Sequence, residues 1–458
     1  MTRLVDRITN YAESLAFADL PVEVVSRTKE LILDSVGCAI GGSSSPPAQI
    51  AHAIAAETPS LNGASVMVTG QKTTPDVAAF ANGIATRYLD YNDTYLGGGH
   101  PSDMLAPVLA ANDSVHADGK SVIAGVVLGY EVFCGTRDSV EEQYKAQGKR
   151  PYGNQTAFGP FGSTTVAGKA FGLDRDQMAH ALNLAAVTHF PPSGGGGQLS
   201  HWKACHLAMS SRVGVFSAML AAKGLTAPEG ALDEGCGYFQ VVGAPVDFEP
   251  YDKAAGEFRI MRSHIKAFPC GFHGMGPATA ASQLHTEVVN DIDRVSEIRI
   301  HATRISAQLM GSSESRWKPE TRESADHSIP FVVAMCLMEG SLQVRHFDEA
   351  YFLRPPVRDL MAKMRMVIPD TFEGEFHEVP SVKLEVEMDD GAVQVAEVTR
   401  PIGHPENPMT PADYERKFRS LAEAVLPDHQ TDALLNRLWH LDEVEDIGDV
   451  LSLTVPRP

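Results

Sequence analysis

The sequence predicts a mainly α protein in which a large all-helical domain, built from both ends of the chain, carries a smaller inserted α+β domain. Three observations predict it. Apolar residues recur at helical intervals from the N-terminus to about residue 262. Beyond about residue 265 the period becomes that of strands, and helical signals return from Thr410 onward. The expected boundaries are 1–264 with 402–458 for the helical domain and 265–401 for the α+β domain, whose two connections frame a cleft.

The elements follow in order. Leu4, Ile8, Tyr11 and Leu15 share one helical face, and after Pro21 the spacing repeats at Val25, Thr28, Ile32 and Ser35. Small residues crowd Val77–Ala85, Val122–Gly129 and Ser210–Ala222, so the helices there are expected to approach closely. Asp174 with Gln177, and Thr226 with Glu229, have capping-box spacing and mark helix starts. In the second region Ile298, Ile300 and Ala302 alternate with polar residues, as do Val382, Leu384, Val386 and Met388. Asp390-Gly391 then supplies a hairpin turn toward Val393 and Val395. Thr410-Pro411 reads as a cap with proline at the first helical position, and Leu421, Val425, Leu434 and Leu438 continue the helical pattern.

Composition restricts the function classes. The 458 residues are 43% hydrophobic and 21% charged, which excludes disordered and collagen-like chains. Thirty-eight basic against 58 acidic residues leave a net charge of −20, and no basic run exceeds the neighbourhood of Gly148-Lys149-Arg150, so nucleic acid is not an expected partner. Apolar runs such as Ile329–Met338 are shorter than the ~18 residues of a spanning helix, so no membrane association is expected. The six cysteines are scattered without metal or iron–sulfur spacing, and the mixed-charge N-terminus lacks a signal-peptide core; a cytoplasmic location and no metal are expected.

Four polar clusters could carry chemistry. The first, Asp90-Tyr91-Asn92-Asp93-Thr94 through His100 to Asp103, brings three carboxylates, a hydroxyl and an imidazole into one turn-rich loop, although Asp and Gly also build ordinary turns. In the second, His201-Trp202-Lys203-Ala204-Cys205-His206, Lys203 stands where a helix begins; the five-residue histidine spacing does not match a zinc pair. The third runs from Ser263 to His273 at the expected domain junction and contains His264 and Lys266. The fourth runs from Arg316 through Arg322, Asp326 and His327 to Pro330 and precedes an apolar helix. The glycine run 194–197 after Ser193 lacks a following Gly-Lys-Ser/Thr and reads as a loop, and no G-x-S-x-G element supports a serine hydrolase.

In this order the four clusters resemble the MmgE/PrpD family, which includes 2-methylcitrate dehydratase, cis-aconitate decarboxylase and iminodisuccinate epimerase. The resemblance spans nearly the whole chain, from Leu31-Ile-Leu-Asp-Ser-Val-Gly-Cys38 to the C-terminal helices. It implies the same two-domain layout, usually a homodimer, and active-site positions at Asp90, Thr94, His100, Lys203 and His273. Lys266 and Arg322 would suit carboxylate recognition, the first as a point charge and the second by a bidentate pair. The stretch from Trp317 to Pro330 looks most like the dehydratase-type members. Leu96 with glycines 97–99, His206, and Met209-Ser210 depart from the family pattern, which leaves the substrate open between 2-methylcitrate and a close analogue.

The resemblance implies a cofactor-independent lyase that dehydrates a hydroxylated di- or tricarboxylate by acid/base catalysis. His100 or His273 is the expected base, Lys203 stabilises charge or donates a proton, and Asp90 with Thr94 orients its neighbours. The alternatives are decarboxylation of a cis-aconitate-like acid, epimerisation of an imino or amino dicarboxylate, and a non-catalytic polycarboxylate-binding homologue.

Overall fold

A computed structural model describes residues 3–95, 99–147, 155–190, 199–233, 235–243, 246, 249–251, 257–369 and 379–457. The fold is 61% helical, which makes it mainly α, and its strands form only small sheets. Residues 96–98, the glycine run at 194–197 and the basic residues at 149–150 lie outside the described residues.

The first half contains α1 (Leu4–Ser14), α2 (Val22–Gly42), α3 (Pro46–Glu57), β1 (Pro59–Ser65), β2 (Lys72–Thr73), α4 (Pro75–Tyr88), β3 (Thr94–Tyr95) and α5 (Leu105–Asp113). It continues through α6 (Gly119–Gln147), α7 (Gly159–Ala170), α8 (Arg175–Thr188), α9 (Trp202–Ala222), α10 (Tyr238–Val241) and β4 (Ser263–His264). Next come α11 (Met275–Val288), β5 (Val295–Ala302), α12 (Arg304–Met310), α13 (Glu314–Trp317), α14 (Arg322–Ala325), α15 (Ile329–Glu339), α16 (Arg345–Asp348) and α17 (Pro355–Ala362). Strands β6 (Met364–Val367), β7 (Val382–Met388) and β8 (Val393–Val398) precede α18 (Pro411–Ala422), α19 (Asp428–Trp439) and α20 (Ile447–Ser452).

Local chemistry accounts for several of these boundaries. Asp174 and Gln177 form a reciprocal capping box at the start of α8, and Thr410 with Asp413 does the same before α18. Ser328 accepts the Phe331 N–H to open α15, and Gly340, with φ of 75°, closes it in the left-handed region. The helix expected at Thr226–Glu229 does not form. Gly230 follows in the left-handed region at φ 74°, and the segment continues as turns without a periodic apolar face.

Buried apolar side chains form two main cores. One gathers residues from Leu4 to Ile265 and from Met409 to Leu451, and the other runs from Phe268 to Val398. The small residues in the helices permit close crossings. A Cβ on Gly214 of α9 would lie 2.6 Å from Ser163 Cβ of α7, and one on Gly42 of α2 would lie 2.1 Å from the Ala85 carbonyl of α4. Helix α9 is long and apolar enough by composition to cross a membrane, but it is mostly buried and packs against α4, α7 and α8.

In the second core the sheet order is β6-β5-β7-β8, with β5 parallel to β6 and antiparallel to β7. Ile298 pairs with Val386 and Ile300 with Leu384, all buried. The intervening residues form a charged ladder in which Arg299 Nε donates to Glu385 at 2.7 Å and Nη1 to Glu387 at 2.6 Å. Register therefore follows from burying one face of the sheet.

Candidate active site

Helix α4 carries Arg87 in its last turn, and the chain then reverses at Asp90, a buried residue with φ of 51°. Aspartate tolerates this left-handed conformation better than most residues, and here it turns the carboxylate back toward the helix it has just left. Arg87 Nη1 donates to Asp90 Oδ1 at 2.6 Å. Pairing of β3 with β4 sets Thr94 opposite His264 and draws the following segment alongside, so that Lys266 Nζ reaches Asp90 Oδ1 at 2.5 Å and the Asp90 carbonyl at 2.9 Å. Lys203, in the first turn of α9, places Nζ 3.1 Å from Asp90 Oδ2 and 2.5 Å from Asp326 Oδ2. The junction of α14 and α15 contributes Asp326 and His327, whose Nδ1 lies 2.6 Å from Asp326 Oδ1 and 3.4 Å from Asp90 Oδ2.

Three cations thus face two carboxylates, leaving one surplus positive charge within the network. Burial disfavours the Asp90 carboxylate, yet Arg87, Lys203 and Lys266 together hold its pKa well below the ordinary value. Asp326 is likewise disfavoured by burial and lowered on balance by Lys203 and His327. Burial, aided by Lys203, lowers His327 despite its bond to Asp326. Burial also lowers Lys266, against the opposing effect of Asp90, and pushes His206 down to about 4 with help from Arg87. Asp90, Asp326 and His327 present possible ligand atoms within 4.8 Å of one another. Lys203 Nζ, however, already occupies the cation position between the two carboxylates.

Of the residues predicted from sequence, the fold brings together Asp90, Lys203 and Lys266, and attaches His100 through Arg87. His100 Nδ1 lies 2.7 Å from the Asp93 carbonyl and Nε2 lies 2.9 Å from Arg87 Nη2. A carbonyl only accepts, so Nδ1 carries the hydrogen and Nε2 accepts from Arg87. Burial, with Arg87 and Lys266 adding repulsion, keeps this ring's pKa well below the usual value. Thr94 is buried in the β3–β4 pair. His273 opens toward α12, where Nδ1 meets Ser306 Oγ at 3.0 Å, two residues beyond Gly271, whose N–H donates to the Asp326 carbonyl at 2.8 Å.

The two residues expected to bind substrate sit in different surroundings. The Lys266 ammonium is fully buried and holds the Asp90 carboxylate and carbonyl. The Arg322 guanidinium is stacked between the rings of Tyr88 at 4.6 Å and Phe347 at 4.9 Å, and its three nitrogens are buried. It bridges the first core to the second through its flat faces, and its Nε, Nη1 and Nη2 have no hydrogen-bond partner among the described residues.

Sequence reasoning missed three members of the network. Asp326 and His327 were inside the fourth cluster, where adjacent acid and imidazole just before an apolar helix were the available signal. Arg87 carried an i, i+3 spacing to Asp90 at a helix end.

Family models match most of the chain, with the MmgE/PrpD N-terminal domain covering residues 6–250 and the MmgE/PrpD C-terminal domain covering residues 268–441. This chain belongs to the MmgE/PrpD family. It is 25% identical to a cis-aconitate decarboxylase of Homo sapiens, over 96% of this chain and 92% of the relative. It is also 25% identical to a 2-methylcitrate dehydratase of Cupriavidus necator, over 94% and 91%, and 26% identical to one of Escherichia coli O157:H7, over 88% and 85%. In this MmgE/PrpD chain the match to the C-terminal domain includes α18, which packs on α2 in the first core. The clustered site lies where segments of both matched domains meet, with Asp90 and Lys203 from one and Asp326 and His327 from the other.

Proposed function

We propose that the site is that of a cofactor-independent lyase that removes water from a hydroxylated di- or tricarboxylate, 2-methylcitrate or a close analogue. The observation that carries this reading is the Arg87–Lys203–Lys266 group around Asp90, which leaves positive charge in a largely buried position. Removing a proton beside a carboxylate places a second negative charge on that carboxylate, and preorganised cations in a low-dielectric site make that step easier. Lys203 is the cation best placed for substrate, since its side chain is partly exposed whereas Lys266 and Arg87 are enclosed. In the elimination, a base takes the proton from the carbon beside the carboxylate, the electron pair forms the double bond, and hydroxide leaves with a proton from an acid such as Lys203. Side chains supply each of these functions.

Decarboxylation is the second reading, favoured because a cis-aconitate decarboxylase matches the chain at the same identity as a dehydratase. It uses the same cations, with carbon dioxide departing and a proton returning to carbon.

A proton NMR time course in deuterated water separates the two. Metal-stripped protein is incubated with 2-methylcitrate, citrate, cis-aconitate and hydroxylated or amino dicarboxylates. A vinyl product with all carbons retained is expected. Loss of a carboxylate would make the protein a decarboxylase, and exchange with inversion would make it an epimerase. Lys203→Ala, folded by circular dichroism, is expected to lose at least ~100-fold in kcat, consistent with removal of a charge-stabilising or proton-donating group. A near-normal rate would remove Lys203 from the mechanism.

A further inference from the structure

We propose that His327, oriented by Asp326, is the base of this site and acts through Nε2. This rests on the lyase reading above and names the residue that reading leaves open. A carboxylate accepts hydrogen bonds and cannot donate one when ionised, so the 2.6 Å contact of His327 Nδ1 with Asp326 Oδ1 puts the ring hydrogen on Nδ1. The lone pair is then on Nε2, which has no hydrogen-bond partner among the described residues, on a side chain one-quarter exposed.

The neighbouring histidines lack this combination. His100 has its lone pair engaged by Arg87 and its hydrogen by the Asp93 carbonyl. His273 Nδ1 is engaged by Ser306. His264 is buried edge-on against Phe272 and His404.

The backbone keeps Nε2 clear. Gly271 passes so close that an added Cβ would lie 3.2 Å from His327 Nε2 and 3.0 Å from Met310 Sδ. The same glycine's N–H donates to the Asp326 carbonyl, so one residue both secures the dyad and, by having no side chain, leaves space beside the basic nitrogen. The charged groups facing the ring are Asp326 and Asp90, which favour its protonation, and Lys203, which opposes it. A proton taken from substrate carbon would therefore be held on Nε2 as imidazolium between two carboxylates and one ammonium, while the substrate keeps the electron pair.

The test combines a structural and a kinetic readout on the full-length protein. Nitrogen-15 NMR of the histidine rings, with His327→Asn used for assignment, is expected to show His327 as the Nδ1–H tautomer and Asp326→Asn to disturb that tautomer. An Nε2–H tautomer in the wild type would overturn the proposal, whether or not a substrate has been found. Asparagine keeps a donor near Nδ1 but lacks Nε2, so His327→Asn is expected to lower kcat at least ~100-fold with KM within about threefold. Asp326→Asn acts through orientation and is expected to lower kcat by ~10-fold or more. Imidazole is expected to restore part of the rate in His327→Gly. A folded His327→Asn variant with wild-type kcat would overturn the proposal. A wild type that turns over no compound in the panel would count against the lyase reading, and the tautomer would still decide the orientation on which the proposal depends.

Discussion

At the scale of single residues, burial raises every carboxyl in this site and the neighbouring charges decide which of them still ionises. Asp90 and Asp103 are both buried acids, yet Asp90 touches three cations and is lowered, while Asp103 is pushed up to about 8. Asp103 accepts from Asn92 on Oδ1 and has no hydrogen-bond partner on Oδ2 among the described residues. Burial raises it, Arg87 offsets this in part, and Asp93 and Asp90 raise it further. The folded state therefore keeps a proton that the unfolded chain releases near the usual ~4. Between about 4 and about 8 the native protein binds more protons than the unfolded one, so this group's contribution to stability falls as pH rises. Asp103→Asn is expected to remove a slope approaching ~1.4 kcal/mol per pH unit. Calorimetry at pH 6 and pH 8 should show a smaller loss of Tm in the variant; an equal loss in both proteins would refute the assignment.

At the scale of elements, the helices that carry the site are positioned by small residues. Helix α9 delivers Lys203 at its first turn and lies against α7 at Gly214, where an added Cβ would meet Pro160 O and Thr164 N at 2.7 Å each. Those are backbone atoms of a packed helix and cannot move aside without shifting α7. Gly214→Ala is expected to destabilise the fold by about 1–3 kcal/mol through overpacking, less whatever alanine gains in helix propensity. The urea midpoint measures it, and an unchanged or higher midpoint would show that the two helices have slack. The crowding of small residues in Val77–Ala85 and Ser210–Ala222 was legible in the sequence, and α4 and α9 do pack together. The false helix start at Thr226 shows the limit: capping chemistry marks a start only where an apolar face follows to be buried.

At the scale of the whole molecule, the C-terminal segment braces the site from behind. Lys417 of α18 is buried, with Nζ 2.6 Å from Asp34 Oδ1 of α2, 2.7 Å from the Tyr91 carbonyl and 2.9 Å from the Lys266 carbonyl. One ammonium thus joins both ends of the chain to the two segments that carry Asp90 and Lys266, and it also sits 3.8 Å over the Tyr91 ring. Lys417→Met is expected to cost about 3–5 kcal/mol, because it leaves the buried Asp34 carboxylate without its partner. In Asp34→Asn/Lys417→Met part of that loss should return, since no lone buried charge remains although the Tyr91 and Lys266 carbonyls still lack the Lys417 donor. Chemical denaturation of both variants checks this; equal stability of the single variant and the parent would show that the pair is not a structural tie.

Periodicity and caps determined from sequence alone the mainly α class, the strands around Ile298 and around Leu384 and Val386, and the helix starts at Asp174 and Thr410, because each depends on residues close in the chain. The family resemblance implied that Asp90 and Lys203 share one site, and in the fold the two side chains are in contact. Only the tertiary structure decided which charges meet. Lys266 and Arg322 look alike as spare cations in the sequence, but one is held by Asp90 and the other is stacked between two rings. Asp326 and His327 acquire their roles by contact with Lys203 and Asp90, more than 100 residues away in the chain. Coulomb and hydrogen-bond energies depend on distance in space, and spacing along the chain does not encode that distance across helices packed from distant segments.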